Sequence, residues 1–407
     1  MRVLMLSWEY PPRIVGGISR VVHDLAQKLG EKGNEIHVVT CWEQNTKEVE
    51  KDENVYVHRV HTLDVNSYNF IDWALHLNFA IIEHSIKLIN ETGRFDIIHA
   101  HDWIVAYAAR TIKYSYHVPL VSTMHATESG RNWGLHNDTQ RYINGVEWWL
   151  SYESWKVIVN SEYMRNEVEI LFNLPKDKVN VIFNGVDLNK FNGIERDCEF
   201  RRGYAQDNEK IVFFVGRLVN EKGIQVLMDA IPKIINHFND SKYIIAGKGP
   251  QFEYLKWKAA QMNISHKVHL TGYISEENLL KLYKCSDVAV FPSLYEPFGI
   301  VALEGMVAGV PVVVSDTGGL GEIVNHGIDG IKSYTGNSNS LADGILEILY
   351  NPLKAEEMKK NAFEKVNRYF NWDLISEQTI NVYNNVLREF ESSNWKIPGI
   401  KERLDGV

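Results

Sequence analysis

Lys210-Ile211-Val212-Phe213-Phe214-Val215, followed at once by Gly216-Arg217-Leu218-Val219-Asn220-Glu221-Lys222-Gly223, decides the fold. An apolar run rich in β-branched and aromatic residues suits a strand buried on both faces, and the glycine-bounded polar loop suits a turn into a helix. The same unit has already opened the chain at Met1-Arg2-Val3-Leu4-Met5-Leu6-Ser7, so the run at 210 is a restart. Before it, strands are predicted near 2–7, 35–40, 55–60, 95–99, 119–123, 156–160 and 179–183, with helices at 17–31 and 71–91. After it, strands are predicted at 210–215, 242–246, 267–271, 287–291 and 311–315. This alternation is that of parallel sheets covered by helices.

The chain has 407 residues, too many for one ordinary core, so two doubly wound α/β domains facing a cleft are expected. Residues 1–190 form the first, 191–371 the second, and 372–407 a helical segment that crosses back to the first. The turn-rich Asn184–Gly193 and the charged stretch to Asn208 make the linker. Hydrophobic content of 45% and charged content of 23% are those of a globular protein, and a net charge of −9 argues against a nucleic-acid partner. Cys41, Cys198 and Cys285 are too few and too scattered for a disulfide framework or a metal quartet. The first apolar run is too short for a signal peptide, and no stretch has the length of a membrane span. A cytoplasmic enzyme without an integral membrane segment is the expectation.

Five constellations suggest chemistry. Arg13-Ile14-Val15-Gly16-Gly17 lies between the first strand and its helix, where glycines bring backbone N–H groups close to an anion. Arg217 and Lys222 stand at the carboxyl end of the strand at 210, a fork and a point charge suited to a diphosphate. His99-Ala100-His101-Asp102-Trp103 and Met124-His125-Ala126-Thr127 follow apolar runs and face the cleft; hydrogen bonding to a polar substrate, or a structural role, is favoured over a metal. The grounds are that parallel strands should point these side chains in different directions and that no further ligand set is obvious; separately, the chain has no Asp-x-Asp triplet. Thr317-Gly318-Gly319 is a second glycine-rich turn able to approach phosphate, whereas Gly247-Lys248-Gly249-Pro250 lacks the third glycine of a dinucleotide fingerprint.

The fifth constellation is Tyr295-Glu296-Pro297-Phe298-Gly299-Ile300-Val301-Ala302-Leu303-Glu304, two carboxylates in an almost wholly apolar stretch. Buried carboxylates need partners. A helix beginning after Pro297 places Glu296 in the loop before it, offers the amides of Phe298, Gly299 and Ile300, and sets Glu304 two turns in. A glycosidase pair stands roughly 5–9.5 Å apart. Eight helical residues span about 12 Å, so two parts of one extended ligand suit the pair better. The structural alternative is a buried cation beside Glu304.

Together these residues resemble the retaining glycosyltransferases of the glycogen synthase and sucrose synthase superfamily, over nearly the whole chain. Glu296 and Glu304 match its Glu-x7-Glu motif, and Arg217 and Lys222 its diphosphate pair. Arg13-x-x-Gly16-Gly17 resembles its first-domain loop, although bacterial glycogen synthases typically carry Lys where Arg13 stands. The resemblance implies the GT-B fold, two Rossmann-like domains with the cleft between them. It implies that Glu296 contacts donor-sugar hydroxyls, Glu304 holds the ribose, Arg217 and Lys222 neutralise the leaving diphosphate, and His125 touches the sugar near the reacting carbon. Asp102 matches a cleft segment, and Tyr273 is a candidate for stacking on the base. Cations and helix amides aimed at the diphosphate would stabilise the transition state, with no metal or other cofactor expected beyond the nucleotide-sugar co-substrate.

The implied reaction moves glucose from ADP- or UDP-glucose to the non-reducing end of an α-1,4-glucan. Trp133, Trp148, Trp149 and Trp155 could stack on pyranose rings, although the spacing of the last three also suits a helix packing on its core. The alternatives are the same transfer to a small acceptor such as a sugar phosphate or lipid-linked sugar, a nucleotide-sugar epimerase on the same fold, and a two-domain sugar-binding protein. Oligomeric state stays open, a homo-oligomer included.

Overall fold

Strands form where the chain is apolar on both faces. A computed structural model describes residues 1–63 and 66–395. Its first unit, Met1–Asn184 with the chain from Trp372, contains β1 (Arg2–Leu6), β2 (Glu35–Cys41), β3 (Val49–Asp52), β4 (Val55–Val60), β5 (Ile97–His101), β6 (Leu120–Met124), β7 (Lys156–Val159) and β8 (Val179–Val181). They make one sheet in the order β3-β4-β2-β1-β5-β6-β7-β8. All neighbours are parallel except β3, which runs antiparallel to β4 on the edge. Val3, Leu4, Met5 and Leu6 are fully buried, as a central parallel strand requires.

The second unit, Gly185–Asn371, contains β9 (Lys210–Val215), β10 (Ser241–Ala246), β11 (Val268–Gly272), β12 (Val288–Phe291), β13 (Val312–Ser315) and β14 (Ile331–Ser333). The order β11-β10-β9-β12-β13-β14 is the doubly wound one, parallel throughout. Ile224, Leu227 and Ile231 of the helix Ile224–His237 bury one stripe in this unit's core with Val212, Tyr243 and Val290.

Every strand expected from the sequence is present. The edge strands β3 and β14 were not expected, being short or alternating in exposure. The passage into the second unit falls at Asn184–Gly185 rather than at 190, for a local reason. Val186 N donates to Phe370 O at 2.9 Å and bridges Asn371, which ties 185–190 to the second unit's own end. The helix Trp372–Glu391 packs on the helix Gly17–Glu31 of the first unit, with Lys32 Nζ 2.9 Å from Glu377. Residues 396–407 of the expected C-terminal segment lie outside the described residues.

Each sheet reverses direction once. In the second unit the chain builds outward from β9 to β11, then resumes on the other side of β9 at β12. In the first it builds from β1 to β4, then resumes at β5. Loops leaving the carboxyl ends of the two strands that flank such a reversal diverge and leave a crevice. Gly223 fixes how closely the second unit's pair of loops approach: its φ is +66°, and an added Cβ would lie 1.9 Å from Pro292 O. Gly223→Ala is expected to lower stability by about 3 kcal/mol, since backbone meets backbone. A fall in urea midpoint at unchanged m-value checks this.

Candidate active site

In the second unit, the loop after β9 holds Arg217 and Lys222, and the loop after β12 holds Ser293 and Glu296. The two are stitched together: Leu294 N and Tyr295 N both donate to Glu221 O, at 2.8 and 3.2 Å. Lys222 Nζ donates to Glu296 Oε2 at 2.6 Å, and Ser293 Oγ donates to the same oxygen at 3.0 Å. Glu296 is only 7% exposed, so this ammonium offsets its desolvation. Arg217 lies on the same loop, its guanidinium half-exposed and 3.5 Å from Glu221.

A third loop joins them. Gly319 N donates to Glu296 O at 3.0 Å, and a Cβ on Gly319 would lie 2.4 Å from Phe298 Cα. Gly319 thus serves close backbone packing, and its N–H is already engaged, contrary to the expectation that it would be offered to phosphate. Thr317 Oγ1 lies 3.4 Å from Leu294 O, and Gly318 begins the helix Gly318–Ile323. The helix after Glu296 runs Ile300–Val307, with Gly299 before it at φ 108°. It begins later than expected from Pro297, and the Phe298 side chain is buried near Phe370. Glu304 Oε1 meets Lys190 Nζ at 2.5 Å. Tyr273 is largely exposed after β11, with Lys248 Nζ 5.4 Å from its ring.

In the first unit, the loop after β1 is organised by Glu9. Its carboxylate accepts from Val15 N at 2.7 Å and Gly16 N at 2.9 Å. The amides expected to meet a ligand anion therefore already face an internal one, and Gly17 starts the helix. Arg13 is engaged as well, 2.9 Å from Glu43 and beside the rings of Trp8 and Trp73. Burial raises the Glu9 carboxyl above its ordinary range, against the two amides.

His99, His101 and His125 converge rather than diverge. Positions two apart on a strand share a face, so the rings of His99 and His101 lie 4.2 Å apart. His101 Nδ1 is 3.1 Å from His125 Nε2, just past the end of the neighbouring strand β6. His99 bonds Tyr383 at 2.6 Å and Thr123 at 2.7 Å. Among the described residues, no group of three or more His, Cys, Asp and Glu side chains is arranged to hold a metal ion. Burial pushes His99 down to about 3 and His101 well below the imidazole range. It lowers His125 too, with the Asp102 carboxylate pulling the other way. Asp102 holds φ 62° and accepts from His125 N at 2.8 Å.

Glu9, Glu147, Ser293 and Lys190 were missed in the sequence. Glu147 was legible: Ile143, Val146 and Leu150 mark the buried stripe of its helix, and Glu147 lies within it. Its carboxylate accepts from Glu128 N at 2.9 and 3.1 Å, and burial raises it well above the carboxylate range. Of the tryptophans, Trp133 and Trp148 are exposed. Trp149 packs near Tyr107, and Trp155 donates to Glu389 at 2.8 Å.

Residues 196–365 match the family Glycosyl transferases group 1, and residues 15–190 match Glycosyltransferase Family 4. An uncharacterized glycosyltransferase of Methanocaldococcus jannaschii is 41% identical over 388 residues, covering 94% of this chain and 98% of that protein. A glycogen synthase of Mycobacterium tuberculosis is 32% identical over 418 residues, covering 99% of each. An alpha-maltose-1-phosphate synthase of Mycolicibacterium smegmatis is 26% identical over 407 residues, covering 95% of this chain and all of that protein. A solved sucrose-phosphate synthase from Thermosynechococcus elongatus superposes with TM-score 0.81 at 23% identity, covering 96% of this chain and 100% of that one. The fold is GT-B, with two Rossmann-like domains. Among the described residues, no helix is long and apolar enough to cross a membrane.

A buried neutral histidine takes up a proton more readily when unfolded. The contribution of His99 is therefore full above the unfolded value of 6.5 and is lost as pH falls towards about 3. Glu9 and Glu147, raised in the fold, titrate in the opposite sense. The expected outcome is thus a difference: between pH 7 and 5 the parent loses about 2 kcal/mol more than His99→Gln. Urea unfolding of both proteins at both pH values measures it.

Proposed function

The chain belongs to the group 1 glycosyl transferases, and on that premise we propose that it moves glucose, with retention, from a nucleotide-glucose donor to the non-reducing end of an α-1,4-glucan. The observation that supports the donor chemistry is the Lys222–Glu296 pair beside Arg217 at the sheet reversal of the second unit. Sugar–phosphate cleavage builds negative charge on the departing diphosphate. Lys222 and Arg217 oppose that charge, and being preorganised they do so with little rearrangement. Lys222 must then divide its donors between the diphosphate and Glu296, which orients Glu296 towards the sugar hydroxyls. Glu304 takes the ribose, and Phe298, Gly299, Ile300 and Thr317–Gly319 line the donor loops. Tyr273 stacks on the base.

For His125, Asp102 and the Arg13–Gly17 loop, which lie in the first unit, we propose the substrate-binding roles that the family resemblance implies. A neutral His125, favoured by its burial, donates or accepts a hydrogen bond without adding charge near a cationic sugar. The glucan acceptor is supported by likeness to the glycogen synthase along nearly all of both chains. A second reading, transfer to a small acceptor such as glucose 1-phosphate, is favoured by likeness to the alpha-maltose-1-phosphate synthase.

Labelled ADP-glucose and UDP-glucose supplied with glycogen, maltose, glucose 1-phosphate and fructose 6-phosphate separate these readings. Label is expected in glycogen and in lengthened maltose; incorporation into a sugar phosphate alone would select the second reading. Glu296→Gln and Lys222→Met are each expected to reduce kcat by about 100-fold or more while the fold persists. Full turnover in either folded variant removes that residue from the donor site. Transfer is expected to continue in the presence of a metal chelator, and a loss restored by magnesium would count against the metal-free mechanism.

A further inference from the structure

Lys190 lies in the turn that follows the chain's passage into the second unit. Its position is fixed from both sides. Asp187 Oδ1 accepts from Asn189 N at 2.9 Å, and Lys190 N lies 3.3 Å from Asp187 O. Phe191, the next residue, is buried with its ring edge-on to Tyr283 at 5.7 Å. Between these anchors the Lys190 ammonium reaches Glu304 Oε1 at 2.5 Å, with Glu276 at 3.6 Å on its outer side. The Lys190 and Glu304 side chains are 14% and 5% exposed. The Tyr283 hydroxyl, on a fully buried residue, lies 3.5 Å from Glu304 Oε2 and 3.2 Å from Val301 O.

A buried ion pair is a poor way to gain stability, because an apolar pair of similar volume often does as well. Its value lies in geometry: one ammonium on Oε1 and a phenol near Oε2 restrict the carboxylate to one orientation. The geometry points to Lys190 as a positioning residue that holds Glu304 for the two hydroxyls of the donor's ribose. This rests on the ribose role proposed for Glu304. A vicinal diol needs both its partner oxygens correctly set, and a carboxylate free to rotate about its last torsion would not supply that.

The test is calorimetric binding of ADP or UDP, whichever the parent binds, and of its 2′,3′-dideoxy analogue. Lys190→Met is expected to weaken the ribonucleotide on the order of tenfold, within the coupling range of residues in contact, and to leave the dideoxy analogue unchanged. In a Glu304→Gln background the same change is expected to have no further effect. Equal weakening of both nucleotides by Lys190→Met, or no weakening, overturns the positioning role. If Glu304→Gln itself fails to discriminate the two nucleotides, the ribose reading falls, which is a distinct result. Lys190→Arg retains the charge and changes the reach, and should show the same discrimination in smaller degree. It carries the test if the methionine variant does not fold, and equal affinities for the parent and Lys190→Arg would then overturn the proposal.

Discussion

One topological constraint organises both units: a doubly wound sheet reverses its strand order once, and loops diverge only there. In the second unit the reversal separates β9 from β12, and in the first it separates β1 from β5. Several of the groups with a chemical role hang from these four strand ends, while His125 follows β6, Tyr273 follows β11 and Thr317 follows β13. Arg217 and Lys222 follow β9, Ser293 and Glu296 follow β12, Glu9 and Arg13 follow β1, and Asp102 follows β5. Parallel strands buried on both faces are rigid, so groups at their ends are held by the sheet itself. The price is that polar side chains are drawn into apolar surroundings, and the remaining architecture deals with that.

Four of the buried carboxylates each have their own solution. Glu296 has Lys222 and Ser293, Glu304 has Lys190, Glu9 has the amides of Val15 and Gly16, and Glu147 has the amide of Glu128. The two kinds of partner differ in consequence. An ammonium on a flexible stem can turn to an arriving anion, whereas a backbone amide is fixed and merely holds a loop in shape. Among these four, the lysine-paired carboxylates lie in the second unit and the amide-paired ones in the first, but Glu153 of the first unit is buried against Lys113 and Asp329 of the second accepts from Asn325 N, so the kind of partner is set locally.

The fold was legible because burial on both faces writes continuous apolar runs, as at Val3–Leu6 and Ile211–Phe214. The edge strand β3 was illegible because Val49-Glu50-Lys51-Asp52 is half exposed and carries no such run. The donor residues were legible one by one, since cations and carboxylates stand out against apolar neighbours. Their pairing was not. Lys190 and Glu304 are 114 positions apart, and nothing local to Asn189-Lys190-Phe191 announces a buried partner. Glycines misled in a specific way: Gly16 and Gly319 suggested amides waiting for phosphate, but those amides already serve Glu9 and the Glu296 carbonyl.

The eight-residue interval between Glu296 and Glu304 now has a physical reading that spacing alone did not supply. The helix between them begins only at Ile300, so the two carboxylates are held by different means. Glu296 belongs to a loop stitched to β9's own loop, and its lysine comes from there. Glu304 belongs to the helix, and its lysine comes from the segment that opens the unit. Because each carboxylate has a separate cation, one can exchange its partner for a ligand without unpairing the other. Two independent ion pairs, one in the loop before a short helix and one midway along it, therefore suit a ligand that is itself extended, with distinct polar groups at its two ends.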